Sequence, residues 1–342
     1  MATQPQPSLV PLTAQYLGRH ARRLSRSLRV AADGTDVEAI HQVRVACRRL
    51  RAGFRMFKDI LGKRRVRRWR RSIRPLAKKL GEARDLDVEI QATWERIARI
   101  DDVQLIPGVS YWLAHLERER ARLQPKVRRA VRKFLQLGTL SDMRRWRRSV
   151  TAAADDTEST KDGDRHATQM ASQISILHRR LQALQRASAA LNDPADQDGH
   201  HVFRIKAKKL RYSLEAVLPV LGSLAEVAVE ALKQIQEWAG EIHDYDVWSM
   251  RLGKAIKRIE SGKRLRPRWL NPQRLLPGLT ALEEYYRQTR TQVFDRLRNF
   301  CSQEKLQKLW RSLEQSQFLG DSCELEEAAA VPASDGGDGQ RM

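Results

Sequence analysis

Two stretches 160 positions apart, HQVRVACRRLR (41–51) and HVFRIKAKKLR (201–211), place histidine, arginine and lysine at intervals of three and four residues. On an α-helix, positions i, i+3, i+7, i+10 and i+14 share one side. In the first stretch these positions hold His41, Arg44, Arg48, Arg51 and Arg55; in the second they hold His201, Arg204, Lys208 and Arg211, after which Glu215 interrupts the run. A cation then recurs once per turn, about every 5 Å along the axis. That spacing makes a ladder for a linear anion with repeating charge. Guanidinium offers phosphate oxygens a planar fork of donors, and ammonium supplies a point charge. At about 100° per residue the ladder lies about 110° from the centre of the apolar stripe on the same helix, so it flanks the core instead of facing away from it.

A merely solvated face mixes signs. Here like charges stand three and four apart, which costs a few tenths of a kcal/mol per pair, and an external anion would relieve that repulsion. Metal chemistry finds no support: the residues four away from the two histidines are Val37, Val45, Gln197 and Ile205. Direct contact with an anion, a structural role and phosphate acceptance all remain open for His41 and His201. Asp85 and Asp87, with Asp244 and Asp246, have an i, i+2 spacing that puts each pair on different helix faces. They are expected to cap helices or to hold stripe arginines by buried ion pairs. No Gly-rich phosphate loop, Ser-His-Asp order or H-E-x-x-H is present, so the expected function is non-catalytic and without a cofactor or a bound metal.

A second basic run, KRRVRRWRRSIRPLAKK (63–79), has ten cations and no acid, and MRRWRRS (143–149) adds a smaller patch. Arg67, Arg70, Arg71, Arg74 and Lys78 form a further helical stripe there. Trp69 and Trp146 stand among these arginines and read first as core or interface aromatics at helical spacing; as stacking surfaces for bases they are the main support for an alternative function as an RNA- or DNA-binding protein. The corresponding segment of the second half, SLAEVAVEALKQIQEWA, is weakly charged, so the basic wall is asymmetric. The candidate anion contacts are His41, Arg44, Arg48, Arg49, Arg51, Arg55, Arg19, Arg26, Arg74, Lys78 and Lys79 in the first half. In the second half they are His201, Arg204, Lys208, Lys209 and Arg211.

The elements that must carry these residues read as helices throughout. Leu17, Ala21, Leu24 and Leu28 form one apolar face; Ile40, Val43, Cys47, Leu50, Phe54 and Phe57 form another, and no alternation of period two competes. Breaks are expected at DGTD (33–36), LGK (61–63), LIPG (105–108), TAAADDTESTKDGD (151–164), NDPADQDG (192–199) and LPG (276–278), with a kink or break at Pro125. The two halves align at an offset of 160: Leu17 with Leu177, Arg19 with Arg179, Arg26 with Arg186, Leu61-Gly62 with Leu221-Gly222. After one deletion, LGEARDLDV (80–88) aligns with AGEIHDYDV (239–247). The expected fold is therefore all-α, an internal duplication of one helical unit in a pseudo-two-fold arrangement. The expected divisions are a first half over 8–150, an acidic linker over 151–166, a second half over 167–320 and a disordered acidic tail over 321–342.

The 342 residues carry a formal net charge of +23, although 321–342 holds six acids and one base and 151–166 five acids and two bases. A polyanionic partner is the first expectation from such a balance. Three scattered cysteines argue against a disulfide framework and suit a reducing cytoplasm, and neither a membrane span nor a secretory signal is visible.

HQVRVACRRLRAGFRMF, KKLGEARDLDV, HVFRIKAKKLRYSLEAV and AGEIHDYDV strongly resemble the two halves of the CHAD domain, the conserved histidine α-helical domain, over about residues 8 to 318. The resemblance implies two helical bundles about a basic groove or pore, and a non-catalytic module that binds long-chain inorganic polyphosphate, with placement on polyphosphate granules as an accompanying expectation. With no E-x-E-x-K strand signature near its start, the chain looks like a member without a fused triphosphatase domain. On this reading the candidate contacts above become polyphosphate contacts, and nucleic acid becomes a weaker competitor.

Overall fold

A computed structural model describes residues 9–34, 36–155, 162–261 and 271–315. Among these residues every regular element is a helix: α1 Leu9–Asp33, α2 Val37–Met56, α3 Lys58–Leu61, α4 Lys63–Ile97, α5 Ile106–Gln136, α6 Thr139–Asp155, α7 Asp162–Ala187, α8 Gln197–Val217, α9 Ser223–Glu260, α10 Pro272–Ser302 and α11 Glu304–Gln315. Short 3-10 turns at Ser188–Asn192 and Leu218–Val220 flank α8.

The two ladder helices begin alike. Asp36 accepts from Glu38 N at 2.7 Å ahead of α2, and Asp196 accepts from Gly199 N at 2.8 Å ahead of α8. Each carboxylate satisfies a first-turn donor that the helix leaves unpaired and places negative charge at its positive end.

Two of the expected breaks are corrected. Pro125 lies inside α5 and Pro277 inside α10, and both helices run on through them. An interior proline costs about 3 kcal/mol. Apolar contact on both sides of Pro125 offsets it: Trp112, Leu113 and Leu116 are buried before it, and Val127, Val131 and Phe134 after it. The LPG stretch has a different physical reason. A Cβ on Gly108 would stand 2.2 Å from the Leu275 carbonyl oxygen, and one on Gly278 would stand 2.0 Å from that of Leu105. The two Pro-Gly pairs therefore mark the point where α5 and α10 touch backbone to backbone. At 151–164, α6 reaches Asp155 and α7 starts at Asp162, so helix enters the acidic stretch from both sides. Residues 156–161, and the tail 321–342, lie outside the described residues.

One large apolar core draws on both halves: Leu24, Leu50, Phe54, Trp69 and Leu80 on one side, Phe203, Leu210, Leu232, Phe294 and Leu313 on the other. Full burial of each such side chain contributes about 1.5–3 kcal/mol. A second core under α4, α5, α9 and α10 packs Trp112, Trp248, Leu279 and Tyr286. It encloses Glu89, which is paired with Arg251 and accepts from Trp112 Nε1 at 3.2 Å. No described helix is long and apolar enough to cross a membrane.

Trp69 and Trp146, read from the sequence as possible base-stacking surfaces, are core residues, 0 % and 7 % exposed. Their rings meet edge to face at 6.2 Å, and Trp69 Nε1 donates to Asp142 at 2.8 Å. Both aromatic faces are therefore already occupied by the protein.

Candidate anion-binding site

Helix α2 packs against α8, which merges the two ladders into one cluster. All members of both stripes are half-buried, as their flanking position on each helix requires. Lys208 sits at the centre. Arg204 on its own helix and Arg48 and Arg44 on α2 face it, with Asp244 of α9 the opposing acid. Burial first, and those guanidinium groups second, pull its ammonium down to about 7. Burial also lowers Arg48 and Arg204.

Beside this group, three guanidinium carbons gather around the buried Tyr212 ring: Arg48 at 5.0 Å, Arg49 at 4.9 Å and Arg211 at 5.1 Å from its centroid. The negative face of the ring partly compensates the crowding of charge. Sequence reasoning missed Tyr212, because the aligned position in the first half is Ala52 and carries no such signal.

Farther along α2, Arg55 meets charges from three other helices. Arg51 and Arg70 lie near it. Arg180 of α7 donates to the Lys209 carbonyl oxygen at 3.3 Å and is lowered to about 10 by burial, then by Arg55. Lys209 is lowered by burial, then by Lys206, Arg55 and Arg180. Arg180 was also missed; its aligned partner His20 gives no hint of it.

The histidines differ between halves. His201 Nδ1 lies 3.2 Å from His243 Nδ1, so one ring donates a proton and the other accepts it. Burial and Arg204 hold His243 down at about 4; burial, Arg204 and Lys208 lower His201. His41 is lowered by burial and by Arg84. Arg84 and His243 occupy the same place in the paired GEARDLDV and GEIHDYDV motifs, a signal that could have found both.

Three candidate cations, the stripe residues Arg44 and Arg211 and the neighbouring Arg49, already have acids of this chain. Arg44 pairs with Asp85 at 3.1 Å, Arg211 with Glu215 at 3.4 Å, and Arg49 with Glu215. Asp85 is 70 % exposed, so the Arg44 pair is screened and weak. A Cβ on Gly81 would meet Arg44 Nη1 at 3.1 Å, so the absent side chain leaves room for that guanidinium. Among the described residues no carboxylate lies within 4 Å of Arg48, Arg51, Arg55, Arg204, Lys208 or Lys209. The Nε groups of Arg48 and Arg204 are buried without a hydrogen-bond partner, which is costly unless a ligand supplies one.

The remaining candidates scatter. Arg19 faces Tyr16 and His20, where Arg49 also lies. Lys79 pairs with Glu82 at 2.7 Å. Arg26, Arg74 and Lys78 project from exposed faces of α1 and α4. Asp87 and Asp246 tie down Arg120 of α5, at 2.6 Å, and Arg290 of α10, at 3.0 Å, instead of stripe arginines. Among the described residues no group of three or more His, Cys, Asp and Glu side chains is placed to hold a metal.

An all-helical protein with two cationic helix faces turned towards each other is the class that fold and site define. The CHAD domain family model matches residues 15–253, and the chain belongs to that family. Two solved structures share its fold. The CHAD domain from the plant Ricinus communis is 20 % identical, covers 93 % of this chain and 95 % of its own, and has a TM-score of 0.57. PptA from Streptomyces chartreusis is 18 % identical, covers 89 % and 99 %, and has a TM-score of 0.51. No curated protein sequence matches.

Proposed function

We propose that the protein binds long-chain inorganic polyphosphate, without catalysis, through the cluster formed where α2 meets α8. The observation that carries this reading is the set Arg48, Arg51, Arg55, Arg204, Lys208 and Lys209, crowded together with no carboxylate of the chain within 4 Å among the described residues. A chain of phosphates supplies repeated charge at a spacing such a row can follow, and each Arg fork can take two oxygens. Membership in a family associated with polyphosphate binding supports the same partner. A basic groove between the two halves and placement on polyphosphate granules belong to this reading.

The test is isothermal titration with polyphosphate of about 15 phosphates or longer. Arg48→Ala and Arg204→Ala are each expected to weaken binding at least about tenfold, the loss of one charge-assisted contact pair. Arg26→Ala, on an exposed face of α1, is expected to change affinity less than twofold. Equal losses from all three variants, or thermal stabilisation by RNA but not by polyphosphate, would show that the partner is misassigned.

A further inference from the structure

A cavity of about 250 Å³ lies between α1 and α6. Arg23, on the flank of α1 towards α2, donates to Gln42 at 2.5 Å; Gly18, Arg22 and Ser25 turn instead to the cavity. The lining has two chemistries. Leu17, Ala21, Leu140 and Met143 supply an apolar floor, whereas Arg22, Arg144 and Arg147 supply the rim.

The rim is crowded with like charge. Arg147 lies across Gly18: a Cβ at that glycine would stand 3.1 Å from Arg147 Cδ, 3.2 Å from its Nη1 and 3.5 Å from Arg22 Nη1. The two guanidinium nitrogens are therefore within about 7 Å of each other. Among the described residues none of the three rim arginines has a carboxylate within 4 Å, while Asp142 of the same helix α6 pairs with Arg68 and Arg145, outside the cavity. Among the described residues Arg144 donates only to Ser141 Oγ, at 3.3 Å.

We propose that this cavity binds a single-chain anionic amphiphile, an alkyl carboxylate or alkyl phosphate, with the hydrocarbon on the Leu17–Met143 floor and the head between Arg22 and Arg147. An apolar void of about 150 Å³ accommodates a six-carbon ring, so this one takes about ten carbon atoms. Hydrated phosphate units would have to lose their water against leucine and methionine, which disfavours polyphosphate here. A neutral chain would leave the guanidinium pair uncompensated. The site lies on a different flank of α1 from the α2–α8 cluster and does not depend on the reading given to that cluster.

Titration calorimetry of the full chain with decanoate and with decyl phosphate, below micelle-forming concentrations, tests the assignment. One saturable site is expected for each, with no binding of decanol or of orthophosphate at the same concentrations. Arg22→Gln and Arg147→Gln should each weaken the decyl anions at least tenfold. Ala21→Leu, which fills the floor, should abolish binding, with thermal melting confirming that it is folded. The assignment fails if the decyl anions do not saturate, if decanol binds as well as they do, or if both arginine variants bind unchanged. It also fails if long polyphosphate displaces decanoate and Arg147→Gln weakens the two ligands equally.

Discussion

Lys208 is the residue at which site chemistry becomes most specific. Its ammonium falls from 10.5 to about 7 because it is buried and faces Arg204, Arg48 and Arg44 against the single acid Asp244. Between pH 7 and 10.5 the unfolded chain therefore binds a proton that the folded chain does not, so stability rises with pH across that window. The cost of the charged lysine is fully present below pH 7. Lys208→Met is accordingly expected to melt at least about 2 °C higher than the parent at pH 7, with the gap closing near pH 10, as read from melts at both pH values. A polyanion at the site reverses the shift, because it favours every charged form near it. Binding at pH 7.5 should then take up protons at Lys208, and affinity should keep rising as the His201–His243 pair protonates below the ordinary histidine range. Calorimetry in buffers of different ionisation heat measures that uptake, and a value of zero at pH 7.5 would remove the linkage. The sequence shows Lys208 on its stripe through helical periodicity alone. It does not show Tyr212 beside Arg48 or Arg180 beside Lys209, since those come from another face of α8 and from α7 and their meeting is set by packing between helices; His243 alone had a signal, its place in the second of the paired motifs.

At the scale of elements, helices were readable because apolar residues recur every three or four positions, but caps were not: Asp85, Asp87, Asp244 and Asp246, expected to cap, lie inside α4 and α9, while Asp36 and Asp196 hold the first-turn donors of α2 and α8. Pro-Gly was misread at 276–278. Glycine both terminates helices and permits helices to touch, and local sequence cannot tell the two apart; only the approach of Gly108 to the Leu275 carbonyl oxygen, 2.2 Å from where a Cβ would stand, shows which applies. Gly108→Ala is expected to destabilise by at least about 2 kcal/mol, since backbone and not a pliable side chain must give way. Gly240, at the position in the second GE-x-x-D-x-D motif that Gly81 holds in the first, has nothing within 4 Å of an added Cβ. Gly240→Ala should instead stabilise by up to about 1 kcal/mol through helix propensity. Denaturant midpoints of the two variants, measured side by side, check both; a neutral Gly108→Ala would mean that α5 and α10 are not in backbone contact.

For the whole molecule, the excess of positive charge is large but unevenly useful. Glu215 forms ion pairs with both Arg49 and Arg211, and Asp85 with Arg44, so the chain supplies part of the counter-charge at one flank of the cluster. Among the described residues no carboxylate pairs with Arg67, Arg70, Arg71 or Arg74 on the basic face of α4, and these side chains are exposed. On the proposed function, a long polyphosphate would reach beyond the cluster to that face, whereas a short one would be confined to the cluster. If the six cations without an acid partner set the bound length, the logarithm of affinity should fall with the logarithm of salt at a slope of about −4, taking about 0.7 released counterions per contact. Lengthening the ligand should steepen the slope until α4 is covered, and replacing Arg67 and Arg71 with Ala should flatten it for long chains only. Glu215→Gln acts oppositely: freeing Arg49 and Arg211 adds two contacts, so affinity and slope should both increase for every ligand length. A slope near −1 for all lengths would mean that one or two surface charges account for binding and that the buried row takes no part. Nucleic acid provides the matching control. Its phosphates are spaced by sugars, and Trp69 and Trp146 are closed to its bases, so at equal salt long polyphosphate should displace RNA at concentrations where RNA leaves polyphosphate bound.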